Sequence, residues 1–158
     1  MQAERPRRDP TAAKRLRIGT APIFGSPHMS SRSVPLRGAI VAGPGSAPLA
    51  AAGTSLVIWE WTEPGPSYLH IHRADDEAWH VLEGSLRFRF VDGTIDAGAG
   101  TTVFVPAGLA HTYCTLEPTR YLIFLTPRLD RLIARLRELP DSSLLRATLA
   151  EFDTVLLE

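Results

Sequence analysis

The sequence predicts an all-β domain followed by two amphipathic helices. Short apolar segments rich in β-branched and aromatic residues recur through the middle of the chain, with turn residues between them. Thirteen prolines and twelve glycines among 158 residues supply many turns, as an all-β fold requires. After residue 126 the apolar spacing changes from alternation to a helical period. The length suits one domain with a sizeable core, so we expect a single sandwich or barrel.

Composition excludes several classes of protein. The formal net charge is zero, and the chain beyond the basic N-terminal segment is mildly acidic, so it lacks the clustered cations of a nucleic-acid or membrane-surface binder. Cys114 is the only cysteine and cannot form an intrachain disulfide. No apolar run approaches the roughly 20 residues that span a bilayer, and no secretory signal is evident. We therefore expect a cytoplasmic protein that binds neither nucleic acid nor membrane.

Residues 1–32 are polar, proline-broken and rich in arginine, without apolar periodicity, and we predict a disordered N-terminal arm. Three other interpretations are open: a basic arm for nucleic acid, an organellar transit peptide, or translation starting at Met29. Six basic residues lie in the first seventeen positions of this segment: Arg5, Arg7, Arg8, Lys14, Arg15 and Arg17.

Strands are predicted across residues 33–126. The run LVIWEWT is typical of a strand, and LRFRFV alternates strictly between apolar and charged residues, which indicates a half-exposed strand. Asp92-Gly93 predicts a hairpin between two of them. Gly/Pro/Ala/Ser-rich text over 34–52 suggests short edge strands and loops. Together, the predicted strands cover 56–62, 68–72, 78–82, 86–91, 94–97, 101–105, 110–116 and 120–126.

Residues 127–158 form the predicted helical extension. Leucine and isoleucine recur at helical spacing from residue 129 to residue 139, and Pro140 ends that run. Asp141 or Ser142 can cap a second helix. We expect both helices to pack outside the β-unit, with a structural or oligomer-contact role. The apolar face of the second helix is predicted to be Leu145, Leu149, Phe152 and Leu156.

The stretch from Tyr68 to Gly84 carries the strongest functional signal. His70 and His72 are two residues apart, so a strand directs both imidazoles to one face. Glu77 follows a polar run that can turn the chain back, and a later strand can bring His111 to the same interior. Three imidazoles and one carboxylate suit one divalent first-row metal such as Fe, Mn, Co, Ni, Cu or Zn.

These residues carry a resemblance to the cupin family. Its first motif, G(X)5HXH(X)3-4E(X)6G, resembles the spacing of the two histidines, Glu77 and Gly84, and its second, G(X)5PXG(X)2H(X)3N, resembles a segment that begins at Gly100. The second motif is matched by Gly100, Pro106, Gly108 and His111. Two positions depart from the pattern: Gly65 stands one residue too close to the first histidine, and Thr115 replaces the final Asn.

The resemblance implies a double-stranded β-helix barrel with a metal at its mouth, held by the three histidines and Glu77, and assembled as a homodimer. Within the family the chain is most similar to small single-domain proteins described as similar to quercetin dioxygenases. The resemblance therefore implies a metal-dependent oxidoreductase, dioxygenase-like, acting on a small organic and possibly aromatic substrate. Two alternatives stay open, because this fold hosts many activities: a non-catalytic small-molecule-binding or sensing module, and an isomerase or epimerase.

Side chains that share the parity of the metal ligands are candidates for the substrate pocket. Tyr68, Trp79 and Tyr113 can point inward, either to line a pocket or to fill the core. Thr115 stands where the family motif has Asn and is the fourth candidate. His80 is three residues from Glu77, so strand alternation directs it outward.

Three polar residues near the motif are predicted to have no direct part in metal binding or chemistry. Asp75 and Asp76 are predicted to be solvated turn residues between two strands. Cys114 alternates away from His111 and is therefore a poor ligand or nucleophile.

Overall fold

A computed structural model describes residues 40, 42–43 and 45–157. All of them belong to one compact unit, Gly38–Glu158. The predicted N-terminal arm, residues 1–32, lies outside the described residues. Ten strands, two α-helices and one 3₁₀ turn make up the described chain. The strands are β1 Ala50–Ala52, β2 Val57–Trp61, β3 His70–His72, β4 Glu77–Glu83, β5 Ser85–Phe90, β6 Gly93–Gly98, β7 Thr102–Val105, β8 His111–Thr115, β9 Arg120–Leu125 and β10 Thr154–Leu156.

The strands form two five-stranded antiparallel sheets. The first has the order β1-β2-β9-β4-β7, and the second has the order β10-β3-β8-β5-β6. Consecutive strands β3 and β4 lie in different sheets, as do β8 and β9, so the chain winds between the sheets as a double-stranded β-helix. The predicted all-β barrel is confirmed, and each predicted strand from 56–62 to 120–126 has an observed counterpart.

Alternation along the strands fills the space between the two sheets. In β4 the inward positions include Trp79 and Val81, and in β5 they include Leu86 and Phe88, all fully buried. Burying a side chain of this size contributes about 1.5–3 kcal/mol each. Trp79 contacts Phe88 edge-to-face, with 5.0 Å between ring centroids. The core thus fixes the strands that carry the functional side chains.

The C-terminal segment contains both predicted helices and an unpredicted strand. Helix α1 spans Pro127–Arg137, with Thr126 as its N-cap and a proline in its first turn. The chain then passes through a 3₁₀ turn, Ser142–Leu144, capped by Asp141, into α2, Leu145–Glu151.

The predicted second helix is wrong beyond Glu151. Asp153 adopts a positive φ of 56°, which ends the helical path, and the chain re-enters the second sheet as β10. Leu156 therefore lies on a strand, paired with His70 of β3. No helix in the described part of the chain is long and apolar enough to cross a bilayer.

Candidate metal centre and adjoining cavity

Three histidines and one glutamate converge inside the barrel. His70 and His72 occupy the inward positions of β3, and His111, at the start of β8, pairs directly with His70 across the sheet. Glu77 begins β4 in the opposite sheet. One ligand atom from each of the four residues lies within 4.8 Å of every other, and all four side chains are buried. The sequence-predicted set is thus brought together.

The separations between these atoms match those between neighbouring ligands of one ion. His70 Nε2 lies 3.1 Å from His72 Nε2, and Glu77 Oε2 lies 3.3 Å from His72 Nε2 and 3.0 Å from His111 Nε2. Metal–ligand bonds of about 2.1 Å at right angles place two donor atoms about 3.0 Å apart. The cluster is therefore compatible with one transition-metal ion.

Hydrogen bonds fix the orientation of all three imidazoles. His70 Nδ1 is 3.3 Å from the Tyr68 carbonyl, and His111 Nδ1 is 2.9 Å from the Leu109 carbonyl. Because a carbonyl oxygen only accepts, both Nδ1 atoms carry the proton. His72 Nδ1 is 2.8 Å from Thr154 Oγ1.

The Thr154 hydroxyl donates its proton to the Phe152 carbonyl at 3.4 Å, so it accepts from His72 Nδ1–H. All three imidazoles are then Nδ1–H tautomers whose Nε2 lone pairs point toward the Glu77 carboxylate and one another. Such lone pairs repel unless a cation lies between them. The donor set therefore fits a bound metal, with outer hydrogen bonds of the kind that orient metal-binding histidines.

The protonation states also suit coordination. Burial, with the neighbouring His72 and His111, lowers the pKa of His70 to about 4, so its imidazole is neutral at neutral pH. Burial would raise the pKa of Glu77, but the adjoining imidazoles of His111 and His72 outweigh it and lower the pKa to about 2. Neutral imidazoles and an ionised carboxylate are the forms that bind metals.

A cavity of about 250 Å³ adjoins the four-residue cluster. His70, His72 and Glu77 contribute to its lining, together with the loop Pro64-Gly65-Pro66. Most of the remaining wall is apolar. The wall includes Trp61, Tyr68, Tyr113, Ile123, Leu129, Leu132, Ile133, Leu136, Arg137 and Leu149.

The predicted pocket residues fall into two pairs. Tyr68 and Tyr113 line the cavity, and the Tyr113 hydroxyl donates to the Tyr121 hydroxyl at 3.1 Å, because Tyr121 donates its own proton to the Glu63 carbonyl. Trp79 is wholly buried in the core, and half-buried Thr115 pairs with Leu86 at the far end of β8; neither belongs to the lining of this cavity. Burial raises the pKa of Tyr113 to about 12.

Four other residues near the motif can be compared with their predicted environments. His80 is half-buried at an outward position of β4, where its Nδ1 is 2.9 Å from Thr102 Oγ1, and Cys114 is exposed. The prediction of a solvated Asp75 is wrong: it is only 6% exposed and accepts hydrogen bonds from Thr126 Oγ1 and Arg128 Nε, each at 2.7 Å. Asp76 is exposed and accepts from a backbone N–H.

Sequence reasoning missed the contribution of helix α1 to the cavity. Its apolar face was expected only to cover the outside of the β-unit, but Leu129, Leu132, Ile133 and Leu136 form one wall. The helical apolar period was visible in the sequence, yet it does not specify which part of the barrel the helix covers. Position 65 requires a glycine, because a Cβ there would lie 2.6 Å from Tyr113.

Fold and site together define a small double-stranded β-helix domain with a buried cluster of three histidines and one carboxylate. Residues 59–125 match the family model for the cupin domain. The match covers 67 of the 158 residues and identifies this part of the chain as a cupin domain. No curated protein gave a significant match to the sequence.

Solved structures of several bacterial proteins resemble part of the chain. A cupin-2 domain-containing protein of Shewanella frigidimarina is 26% identical, with a TM-score of 0.44, and the match covers 49% of this chain and 78% of that one. A protein of Neisseria meningitidis is 17% identical, with a TM-score of 0.43 and coverage of 51% and 83%. KdgF from a Halomonas species is 17% identical, with a TM-score of 0.43 and coverage of 49% and 73%.

Proposed function

We propose that this cupin binds one divalent transition metal through His70, His72, Glu77 and His111 and uses it to act on a small organic molecule. The observation that carries the proposal is the convergence of three Nε2 lone pairs and a carboxylate in one buried place. Such a donor set accommodates Fe, Mn, Co, Ni, Cu or Zn.

The leading activity is that of a metal-dependent oxidoreductase, dioxygenase-like, on a possibly aromatic substrate. A bound metal would polarise a substrate oxygen or activate O₂. The chain itself supplies a cavity whose apolar side chains exclude water, with Tyr68 and Tyr113 available for contact with an aromatic ring.

Few groups for proton transfer line this cavity. Apart from the proposed ligands, the ionisable side chains among its described lining residues are Tyr68, Tyr113 and Arg137. Burial raises the pKa of both tyrosines, and the Tyr113 hydroxyl is hydrogen-bonded to the Tyr121 hydroxyl. An isomerase or epimerase requires an inward base, so this scarcity favours oxidative chemistry, or a non-catalytic binding or sensing module as the second candidate.

The proposal is tested by metal analysis of purified full-length protein. Wild type and the His70→Ala and His111→Ala variants are reconstituted with each candidate metal and desalted, and the bound metal is measured by mass spectrometry. His80→Ala is the matched control, since this histidine faces outward from the same barrel. We expect about one ion per chain in wild type and in the control, and much less in the other two variants.

Oxygen uptake with a panel of enolisable aromatic compounds then separates the two candidate functions. Turnover that disappears in His111→Ala supports the dioxygenase-like activity, whereas bound metal without turnover favours the binding module. Equal metal content in wild type and in the ligand variants would contradict the metal centre itself. The predicted homodimer and cytoplasmic location stay predictions, the first of which light scattering can check.

A further inference from the structure

Arg137 lines the cavity that adjoins the metal-ligand cluster, and its side chain carries a positive charge. It is the last residue of helix α1 and lies on the same wall as Leu136 and Ile133. Among the described residues that line this cavity, it is the only lysine or arginine. An arginine at an apolar cavity can select a ligand that carries a carboxylate, because a guanidinium is always charged and recognises carboxylates with fixed geometry.

Two neighbours hold the guanidinium of Arg137 in place. Its central carbon lies 4.4 Å from the ring centre of Trp61, which is also part of the cavity wall. Its Nη2 donates to Glu63 Oε2 at 2.7 Å. A guanidinium has five N–H donors, and this bond uses one of them. The side chain is 55% exposed, so a ligand can reach the remaining donors.

The cavity lined by Arg137 and the proposed metal ligands determines the size and character of a ligand. Its volume of about 250 Å³ is below the range of roughly 300–1,000 Å³ found for pockets of drug-sized ligands, so the ligand is small. The wall formed by Leu129, Leu132 and Ile133 favours an apolar body, and Tyr68 and Trp61 favour an aromatic one.

We propose that the cavity takes a small aromatic monocarboxylic acid whose carboxylate pairs with Arg137 and whose ring lies between helix α1 and the barrel. The inference rests on the proposed function, since it names the class of molecule that the metal site acts on or binds. Arg137 is in this view the residue that selects acids over neutral analogues.

A substitution at Glu63 should change the affinity of the same subsite for an acid in the direction opposite to a substitution at Arg137. Its carboxylate already occupies one edge of the Arg137 guanidinium and therefore competes with an incoming acid. Removing that charge frees donors on Arg137 without removing the cation. A purely structural role of the Arg137–Glu63 pair predicts that both substitutions weaken binding, whereas a carboxylate subsite predicts effects of opposite sign.

The experiment is a calorimetric titration of full-length protein with paired probes. Benzoate, phenylacetate, 3-phenylpropanoate and 3-hydroxybenzoate are each compared with the corresponding primary amide. The proteins are wild type, Arg137→Gln, Arg137→Lys, Glu63→Gln and the control Arg135→Gln. Arg135 is on the same helix and equally exposed, but it pairs with Glu138 and does not line the cavity.

We expect wild type and Arg135→Gln to bind at least one acid about tenfold more tightly than its amide, a ratio equivalent to about 1.4 kcal/mol. Arg137→Gln should lose that preference, Arg137→Lys should keep part of it, and Glu63→Gln should tighten acid binding several-fold. Wild type without any acid preference, or Arg137→Gln with the wild-type preference, would overturn the inference. Weaker acid binding in Glu63→Gln would also overturn it, even if Arg137→Gln failed to fold.

Metal content measured on the same samples separates this inference from the proposed function. An Arg137-dependent acid preference in protein that takes up no metal leaves the carboxylate subsite standing and contradicts the metal centre. Metal-loaded protein without an acid preference contradicts only the subsite.

Discussion

Thr154 links the C-terminal strand to the candidate metal centre. It is 2% exposed, pairs with His72 across the β10–β3 ladder and holds the Nδ1–H of that histidine through its hydroxyl. Loss of such an outer hydrogen bond to a metal-binding histidine typically lowers metal affinity about 10–100-fold. We therefore expect Thr154→Val to weaken metal binding by about tenfold or more, as measured by competition with a chelating dye.

Two controls make this prediction specific. Thr154→Ser keeps the hydroxyl and should retain near wild-type affinity. Thr148→Val replaces another buried threonine, located in α2, and should leave metal affinity unchanged. Equal metal affinity of Thr154→Val and wild type would show that the hydroxyl does not orient His72.

The low pKa of His70 predicts that metal-free protein loses stability in mild acid. The pKa of His70 falls from 6.5 to about 4 because of burial and the adjacent His72 and His111. The unfolded chain thus binds this proton at higher pH than the folded chain does, and the free energy of unfolding decreases as pH falls from 6.5 toward 4. Glu77, with a pKa lowered from 4.5 to about 2, adds a second loss at lower pH.

Urea denaturation between about pH 7 and pH 4 measures how the free energy of unfolding depends on pH. Each proton that binds on unfolding changes this free energy by at most roughly 1.4 kcal/mol per pH unit. His70→Asn should flatten the curve, while His80→Asn should leave it unchanged. A His70→Asn curve as steep as that of wild type would assign the acid sensitivity to other groups.

The ligand residues could be predicted from sequence because their signal is local. The spacing of His70 and His72 fixes a common strand face, and the glycines and proline before His111 set the turn that starts its strand. Thr154 gave no such signal. It is 82 positions from the histidine that it orients, and nothing in the spacing of a threonine indicates which strand it will pair with.

At the scale of elements, Asp75 connects the β3–β4 turn to the start of helix α1. Its carboxylate accepts hydrogen bonds from Thr126 Oγ1 and Arg128 Nε at 2.7 Å, and Arg128 Nη2 lies 2.6 Å from it. Thr126 is also the N-cap of the helix. The contact therefore sets where α1, and with it one cavity wall, lies on the barrel.

We expect Asp75→Asn to lower the free energy of unfolding by about 1.5–3 kcal/mol, the usual range for hydrogen bonds to a charged group. Denaturant unfolding measures this change. The matched control is Asp76→Asn, because the adjacent carboxylate is exposed and accepts a bond from the backbone N–H of Ala107. A loss in Asp75→Asn no larger than in the control would contradict this anchoring role.

The strands and α1 were predictable because each has a periodic pattern and a recognisable end. β10 was not, because the leucine and phenylalanine spacing of residues 145–156 continues a helical period through a segment that the structure divides at Asp153. What decides the conformation there is pairing with β3, a tertiary contact that overrides local preference. The prediction that Asp75 is solvated was wrong for the same reason, since its hydrogen-bond donors lie some 50 residues away.

At the scale of the whole molecule, the four proposed ligands come from both sheets. His70, His72 and His111 belong to the second sheet, and Glu77 belongs to the first. A metal held by all four would connect the two layers of the barrel at the cavity. The unfolded chain lacks this arrangement, so metal binding should favour the folded state.

Metal addition is therefore expected to raise the thermal unfolding midpoint of the full-length protein. At a free metal concentration 100 times the dissociation constant, the stabilisation is about 2.7 kcal/mol, equivalent to roughly 5–15 °C for a domain of this size. Scanning fluorimetry with Mn²⁺, Co²⁺, Ni²⁺ and Zn²⁺ measures the shift. Glu77→Gln and His111→Ala should abolish most of it, one from each sheet, whereas His80→Ala should keep it. An equal shift in all four proteins would mean that the metal stabilises the chain from another place, and that the buried cluster does not tie the sheets together.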